Sequence, residues 1–141
     1  MENIKRVVIP VDRTLASKRA VEQGAYIAGL LGVNVSIISV DSSRQFIASA
    51  ALEDRLRKEH EHVLDEYKKI VNQNNVTTNT EIIVGDDPAE EIIRYAQDND
   101  LIVMASHSKK GVERFILGSV SEQVLHNANC HVMVLKPKNK R

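Results

Sequence analysis

Five short apolar runs, the first four each followed by a stretch of helical spacing, confine this chain to an α/β architecture with a parallel sheet. The runs are Val7-Val8-Ile9-Pro10-Val11, residues 33–40, residues 80–84, Leu101-Ile102-Val103-Met104-Ala105 and His131-Val132-Met133-Val134-Leu135. The first and fourth are almost uninterrupted, as strands covered on both faces are. Between the first two, Ala20, Val21, Ala25, Ile27, Ala28, Leu30 and Leu31 recur at helical spacing over residues 16–31, and Gly32 stands at the expected C′ position. A longer amphipathic helix is predicted over residues 50–72, with Leu52, Leu56, Val63, Leu64, Tyr67, Ile70 and Val71 as its stripe. Pro88 suits the first turn of a third helix running to about residue 98, and a short fourth helix covers residues 119–127. Strict strand–helix alternation predicts a parallel sheet with helices on both faces. No linker or repeat interrupts residues 1–141, so a single domain is expected.

Composition removes several function classes. Lys plus Arg and Asp plus Glu both number 19, so the basic excess of a nucleic-acid binder is missing. Aromatics at 4% leave little for base stacking. No apolar run reaches the roughly 20 residues of a membrane helix, and Met1 to Arg6 lead straight into a strand without a signal-peptide pattern. A cytoplasmic protein with no membrane or nucleic-acid partner is expected. The single cysteine, Cys130, precedes a strand and is read as a packed thiol.

In such sheets ligands bind beyond the carboxyl ends of the strands, where the strand order reverses. Asp12 ends the first strand there. It suits a ligand hydroxyl or amino group, and equally an N-cap for the helix that follows. The segment Ala105-Ser106-His107-Ser108-Lys109-Lys110-Gly111 is an exposed-loop sequence at the same end. Gly118-Ser119-Val120-Ser121 then opens a helix, whose unpaired N–H groups and dipole form a natural phosphate site; plain capping is the other reading. Lys109, Lys110 and Arg114 add positive charge nearby. His60 and His62 point in different directions on a helix, and His60 is read as a structural histidine, so no metal site is expected. Asp86-Asp87 before Pro88 reads as a turn and helix start. The dinucleotide, P-loop and nucleophile-elbow motifs are missing, and no catalytic residue is assigned.

From residue 7 to residue 137 the chain resembles the universal stress protein family. The resemblance rests on Val-Val-Ile-Pro-Val-Asp at the first strand, Gly85 after the third, Asp-Leu-Ile-Val-Met at the fourth, Gly-Ser-Val-Ser-Glu-Gln-Val-Leu, and Cys-His-Val-Met-Val-Leu. It implies a doubly wound five-stranded parallel sheet in order 3-2-1-4-5, like the adenine nucleotide alpha hydrolases, with two helices on each face. It also implies ATP as ligand, with Mg²⁺ or Mn²⁺ present only alongside the nucleotide. ATP-binding members carry Gly-x2-Gly-x9-Gly-Ser/Thr after the fourth strand. Here that spacing is kept, with Ala105 and Ser108 in place of the first two glycines. Carried over by residue, Asp12 holds the ribose, Val11 and Val40 line the adenine pocket, and Pro10 is counted with the nucleotide-binding residues. Met104 and the backbone at Ala105 and Ser108 flank ribose and phosphates, and His107 is counted with the nucleotide-binding residues. Gly118, Ser119, Val120 and Ser121 bind the phosphates. Were a replaced glycine needed for a left-handed backbone, each substitution would cost on the order of 1–2 kcal/mol.

The implied function is a nucleotide-binding stress-response protein without evident catalytic apparatus, weak ATP hydrolysis aside. The alternative is a dimeric interaction protein that no longer binds ATP usefully. The last strand is an apolar sheet edge, so a homodimer through residues 131–135 is expected in both cases.

Overall fold

The computed structural model describes residues 3–12, 15–44, 49–106 and 118–137. The element order is β1 (Arg6–Pro10), α1 (Leu15–Leu31), β2 (Asn34–Asp41), α2 (Ala50–Asn72), β3 (Thr78–Val84), α3 (Pro88–Tyr95), β4 (Asp100–Ala105), α4 (Ser119–Asn127) and β5 (His131–Leu135). All strand pairs are parallel, and the sheet order is β3-β2-β1-β4-β5, as the resemblance implied.

Alternation along the strands divides the core in two. Val7, Ile9, Val35, Ile37 and Val103 pack with α1 and α2 on one face. Val8, Ile38, Ile102 and Met104 pack with α3 and α4 on the opposite face. β1 lies centrally, and Val7, Val8 and Ile9 are fully buried. Pro10 closes β1, and the next ladder bond is made by the Val11 N–H to the Ile38 carbonyl, 2.8 Å. A residue without an N–H is tolerated there because the chain is leaving the sheet. Gly24 brings α1 close to β1: a Cβ at this position would lie 2.5 Å from Ile9 Cδ1.

The helix ends follow their local chemistry. Gly32 closes α1 at φ +68, a conformation that suits glycine. Asp87 caps α3, its Oδ1 accepting from the N–H groups of Ala89 and Glu90 at 3.1 and 3.3 Å, with Pro88 following. The Asp86-Asp87 reading as a turn and helix start is thereby met.

Three sequence expectations are corrected. α3 ends at Tyr95 rather than near residue 98, because Ala96 is extended and the Asp100 carboxylate accepts the Gln97 N–H at 2.8 Å. Leu30 and Leu31, placed in the α1 stripe, are exposed: the face carrying Ala20, Val21, Ala25 and Ala28 meets the sheet. Leu52 of α2 is likewise exposed. The 23 residues of α2 span about 34 Å, whereas the eight of β2 reach only about 26 Å, so the first turn extends past the sheet.

Candidate functional site

Each of β1 to β4 hands the chain to the next helix at the carboxyl edge of the sheet, so the starts of α1, α3 and α4 gather there. Order reverses between β1 and β4, and a cleft of about 400 Å³ opens at that point. Ten of the twelve candidate residues line it. Pro10, Val11 and Asp12 come from the end of β1, and Val40 from β2. Met104 and Ala105 come from β4, and Gly118, Ser119, Val120 and Ser121 from the start of α4. His107 and Ser108, with Lys109, Lys110 and Arg114, lie outside the described residues.

The cleft has an apolar floor and two polar ends. Val11 and Met104 are buried beneath it. Asp12 is exposed at one end. Its N–H donates to Ser17 Oγ, and Ser17 Oγ–H donates to Asp12 Oδ1, both at 2.8 Å. α1 begins at Leu15, so Asp12 stands ahead of the cap position rather than at it. At the opposite end, Gly118 is the N-cap of α4 and contributes no side-chain acceptor to the first-turn N–H groups. Its φ of −64 is ordinary, and a Cβ added there meets nothing within 4 Å among the described residues. Ser119 is exposed and Ser121 buried.

Ala105 resolves one question left by the motif. Asn75 is the one non-glycine residue with positive φ among the described residues, so Ala105 carries no left-handed strain. Its methyl packs against the α1/α2 core.

Ser17, Pro88 and Ile92 also line the cleft and were missed from the sequence. A serine five positions after Asp12, in the first turn of a helix, was a usable signal. Pro88 was read for its cap position alone, and Ile92 lies one helical turn beyond it.

A second polar cluster sits under α2. His60 Nδ1 is 2.6 Å from Ser39 Oγ, and His60 Nε2 is 4.0 Å from Asp41 Oδ1. His60 is thus a partnered structural histidine, as expected. Burial pushes the Asp41 carboxyl up, but hydrogen bonds from the Ser43 hydroxyl and N–H, with the charge of His60, bring it below its ordinary value. Cys130 is half-buried beside the α3/α4 core, and burial followed by the nearby Asp100 pushes its thiol up, in line with a packed role. A larger, open depression of about 570 Å³ runs along α2, and its lining among the described residues belongs to that helix. Among the described residues no three His, Cys, Asp or Glu are grouped to hold a metal ion, and no helix is long and apolar enough to cross a membrane.

The fold has counterparts. The solved structure of protein MJ0577 superposes with a TM-score of 0.82 at 28% identity, covering 97% of this chain and 99% of that one. A universal stress protein from Archaeoglobus fulgidus, solved in complex with dAMP, superposes with a TM-score of 0.71 at 20% identity, over 94% of this chain and 98% of its own. The universal stress protein MJ0531 of Methanocaldococcus jannaschii is 35% identical over 99% of this chain and 86% of its own length. The family model for the universal stress protein family matches residues 3–136. Taken with the order of the sheet and the cleft at its reversal, these matches mean that the chain belongs to the universal stress protein family.

Proposed function

We propose that this chain binds an adenine nucleotide, ATP in the first instance, and acts as a stress-response regulator without turning its ligand over. The carrying observation is the cleft itself, with the Asp12 carboxylate at one end and the glycine-capped start of α4 at the other. A carboxylate accepts hydroxyl donors such as those of a ribose, and a helix start favours phosphate. Val11, Val40 and Met104 supply the apolar surface for a base. The dAMP complex of the A. fulgidus relative supports the ligand class. Mg²⁺ or Mn²⁺ would arrive with the phosphates. Calorimetric titration with ATP, AMP and cyclic dinucleotides tests the reading. Asp12→Ala combined with Ser119→Ala is expected to weaken binding by at least about tenfold. Unchanged affinity in that folded variant would put the nucleotide elsewhere. No binding by the wild type would favour the interaction-protein alternative, and phosphate release from ATP would refute the absence of turnover.

The partner is a second copy of this chain. Among the described residues β5 pairs with β4 on one side only, leaving its outer backbone groups at the sheet edge, and Met133 is 38% exposed. Pairing two β5 edges about a two-fold axis would satisfy those groups. Val134→Lys is expected to yield a folded monomer in sedimentation. A wild type already monomeric at about tens of micromolar would remove the dimer.

A further inference from the structure

We propose that Ser17 is a positioning residue for ribose recognition, acting through Asp12; the inference rests on the nucleotide reading above and assigns a role to a side chain outside the motif. Asp12 is exposed at the mouth of the cleft on a short side chain just past the end of β1. In water such a carboxylate samples several rotamers. Ser17 restricts that freedom. It is 7% exposed and sits in the first turn of α1, a helix packed on the sheet. Its oxygen accepts the Asp12 N–H and its proton goes to Asp12 Oδ1, both at 2.8 Å, so one hydroxyl ties the backbone and the carboxylate of the same residue.

The donor count determines what this pair can bind. A serine hydroxyl has one proton, and here it is committed to Oδ1, so Ser17 cannot donate it to a ligand while this bond stands. A carboxylate has about four acceptor positions, and Ser17 takes one. The complementary ligand group is therefore a donor, and the vicinal hydroxyls of a ribose present two. Ser17 keeps Asp12 oriented for them through the paired bonds at its N–H and Oδ1.

A purely structural Ser17 would tie the turn after β1 to α1 and affect every ligand equally. The experiment separates the two by titrating AMP and 2′,3′-dideoxy-AMP, which lacks both hydroxyls, into wild type, Ser17→Ala, Ser17→Thr and Asp12→Ala. Ser17→Ala is expected to weaken AMP by about three- to tenfold while changing the dideoxy compound by less than about twofold. Ser17→Thr, which retains the hydroxyl, restores AMP affinity. In an Asp12→Ala background the Ser17 substitution has no further effect. Equal losses for both ligands, or no loss for AMP, overturn the proposal. Equal wild-type affinities for the two ligands overturn it too, while leaving nucleotide binding intact. A wild type that binds neither overturns the nucleotide reading and this one with it. Should Ser17→Ala not fold, Ser17→Cys, close in size but a weak hydrogen-bonding group, is read by the same ratio.

Discussion

The two ends of the sheet are built from the same strands and treat their polar groups in opposite ways. At the amino end, Arg6 opens β1 opposite Asp100, which opens β4, and the two side chains form a two-pronged bridge at 2.6 and 3.0 Å. The guanidinium lies over the Tyr95 ring, 4.9 Å from its centre, and Nη1 donates to the Tyr95 hydroxyl at 3.3 Å. That hydroxyl lies 2.5 Å from Ser36 Oγ on β2, and Asp100 also holds the Gln97 N–H. The hydrogen bond to Asp100 pushes Arg6 up from its ordinary value against the cost of burial. At the carboxyl end, an exposed Asp12 and a glycine-capped helix face a cleft. The closed end ties β1, β2, β4 and α3 together through mutual satisfaction. The open end sets a carboxylate and a helix start against the cleft. Substitutions at the amino end should therefore change stability and leave binding alone, and those at the cleft the reverse.

The largest expected effect tests the closed end. Asp100→Ala removes the partner of Arg6 and the acceptor of the Gln97 N–H at once. Orphaning a buried charge costs about 3–5 kcal/mol. The Arg6 side chain keeps 27% exposure, so a loss near the lower end, about 3 kcal/mol, is expected in urea unfolding. Nucleotide affinity of the folded protein should not move. A loss below about 1 kcal/mol, or a shift in affinity, would break the division between the two ends.

A smaller, pH-dependent effect is expected at Asp41, which lies near the carboxyl end yet is internally satisfied. Its carboxyl is lowered in the folded state, so its contribution is present above the unfolded value, near about pH 4, and is lost as pH falls through the folded value. Ser43→Ala removes one of the hydrogen bonds that lower it. The variant should be about 1–2 kcal/mol less stable at neutral pH, with the gap closing as Asp41 becomes protonated. A gap that does not change between pH 7 and pH 3 would mean that Ser43 stabilises the fold by some route other than the Asp41 charge.

The two ends also differed in how far sequence could reach them. β1 and β4 were legible because both faces are buried and nearly every position is apolar. Asp12 and the turn at Gly118–Ser121 were legible because topology sends each strand end to the same edge. The Arg6–Asp100 bridge was not: it joins residues 94 apart and depends on the β1/β4 register. The same bridge's acid ends α3 early, with no glycine or proline at residues 96–99 to announce it. Ser17 was overlooked because its hydroxyl gains meaning from the carboxylate five residues earlier. Leu30, Leu31 and Leu52 were misplaced because periodicity reports a face and not how far the sheet beneath it extends.

The smallest expected effect on stability is at Gly118, and it discriminates most sharply between fold and ligand as the reason for a glycine. The backbone there, φ −64 and ψ 156, is open to any residue, and a Cβ would meet nothing within 4 Å among the described residues. Alanine is a poorer N-cap than glycine, but it also restricts the unfolded chain, and the two effects oppose each other. Gly118→Ala should thus change stability by no more than about 0.5 kcal/mol. Its methyl would nevertheless stand in the cleft beside the first-turn amides of α4, where phosphates are proposed to approach. Affinity for ATP should fall by about fivefold or more, and adenosine, which has no phosphate, should bind as it does to the wild type. A large loss of stability would show that the fold itself requires the glycine. Equal losses for ATP and adenosine would put the base or sugar, rather than the phosphates, against Gly118.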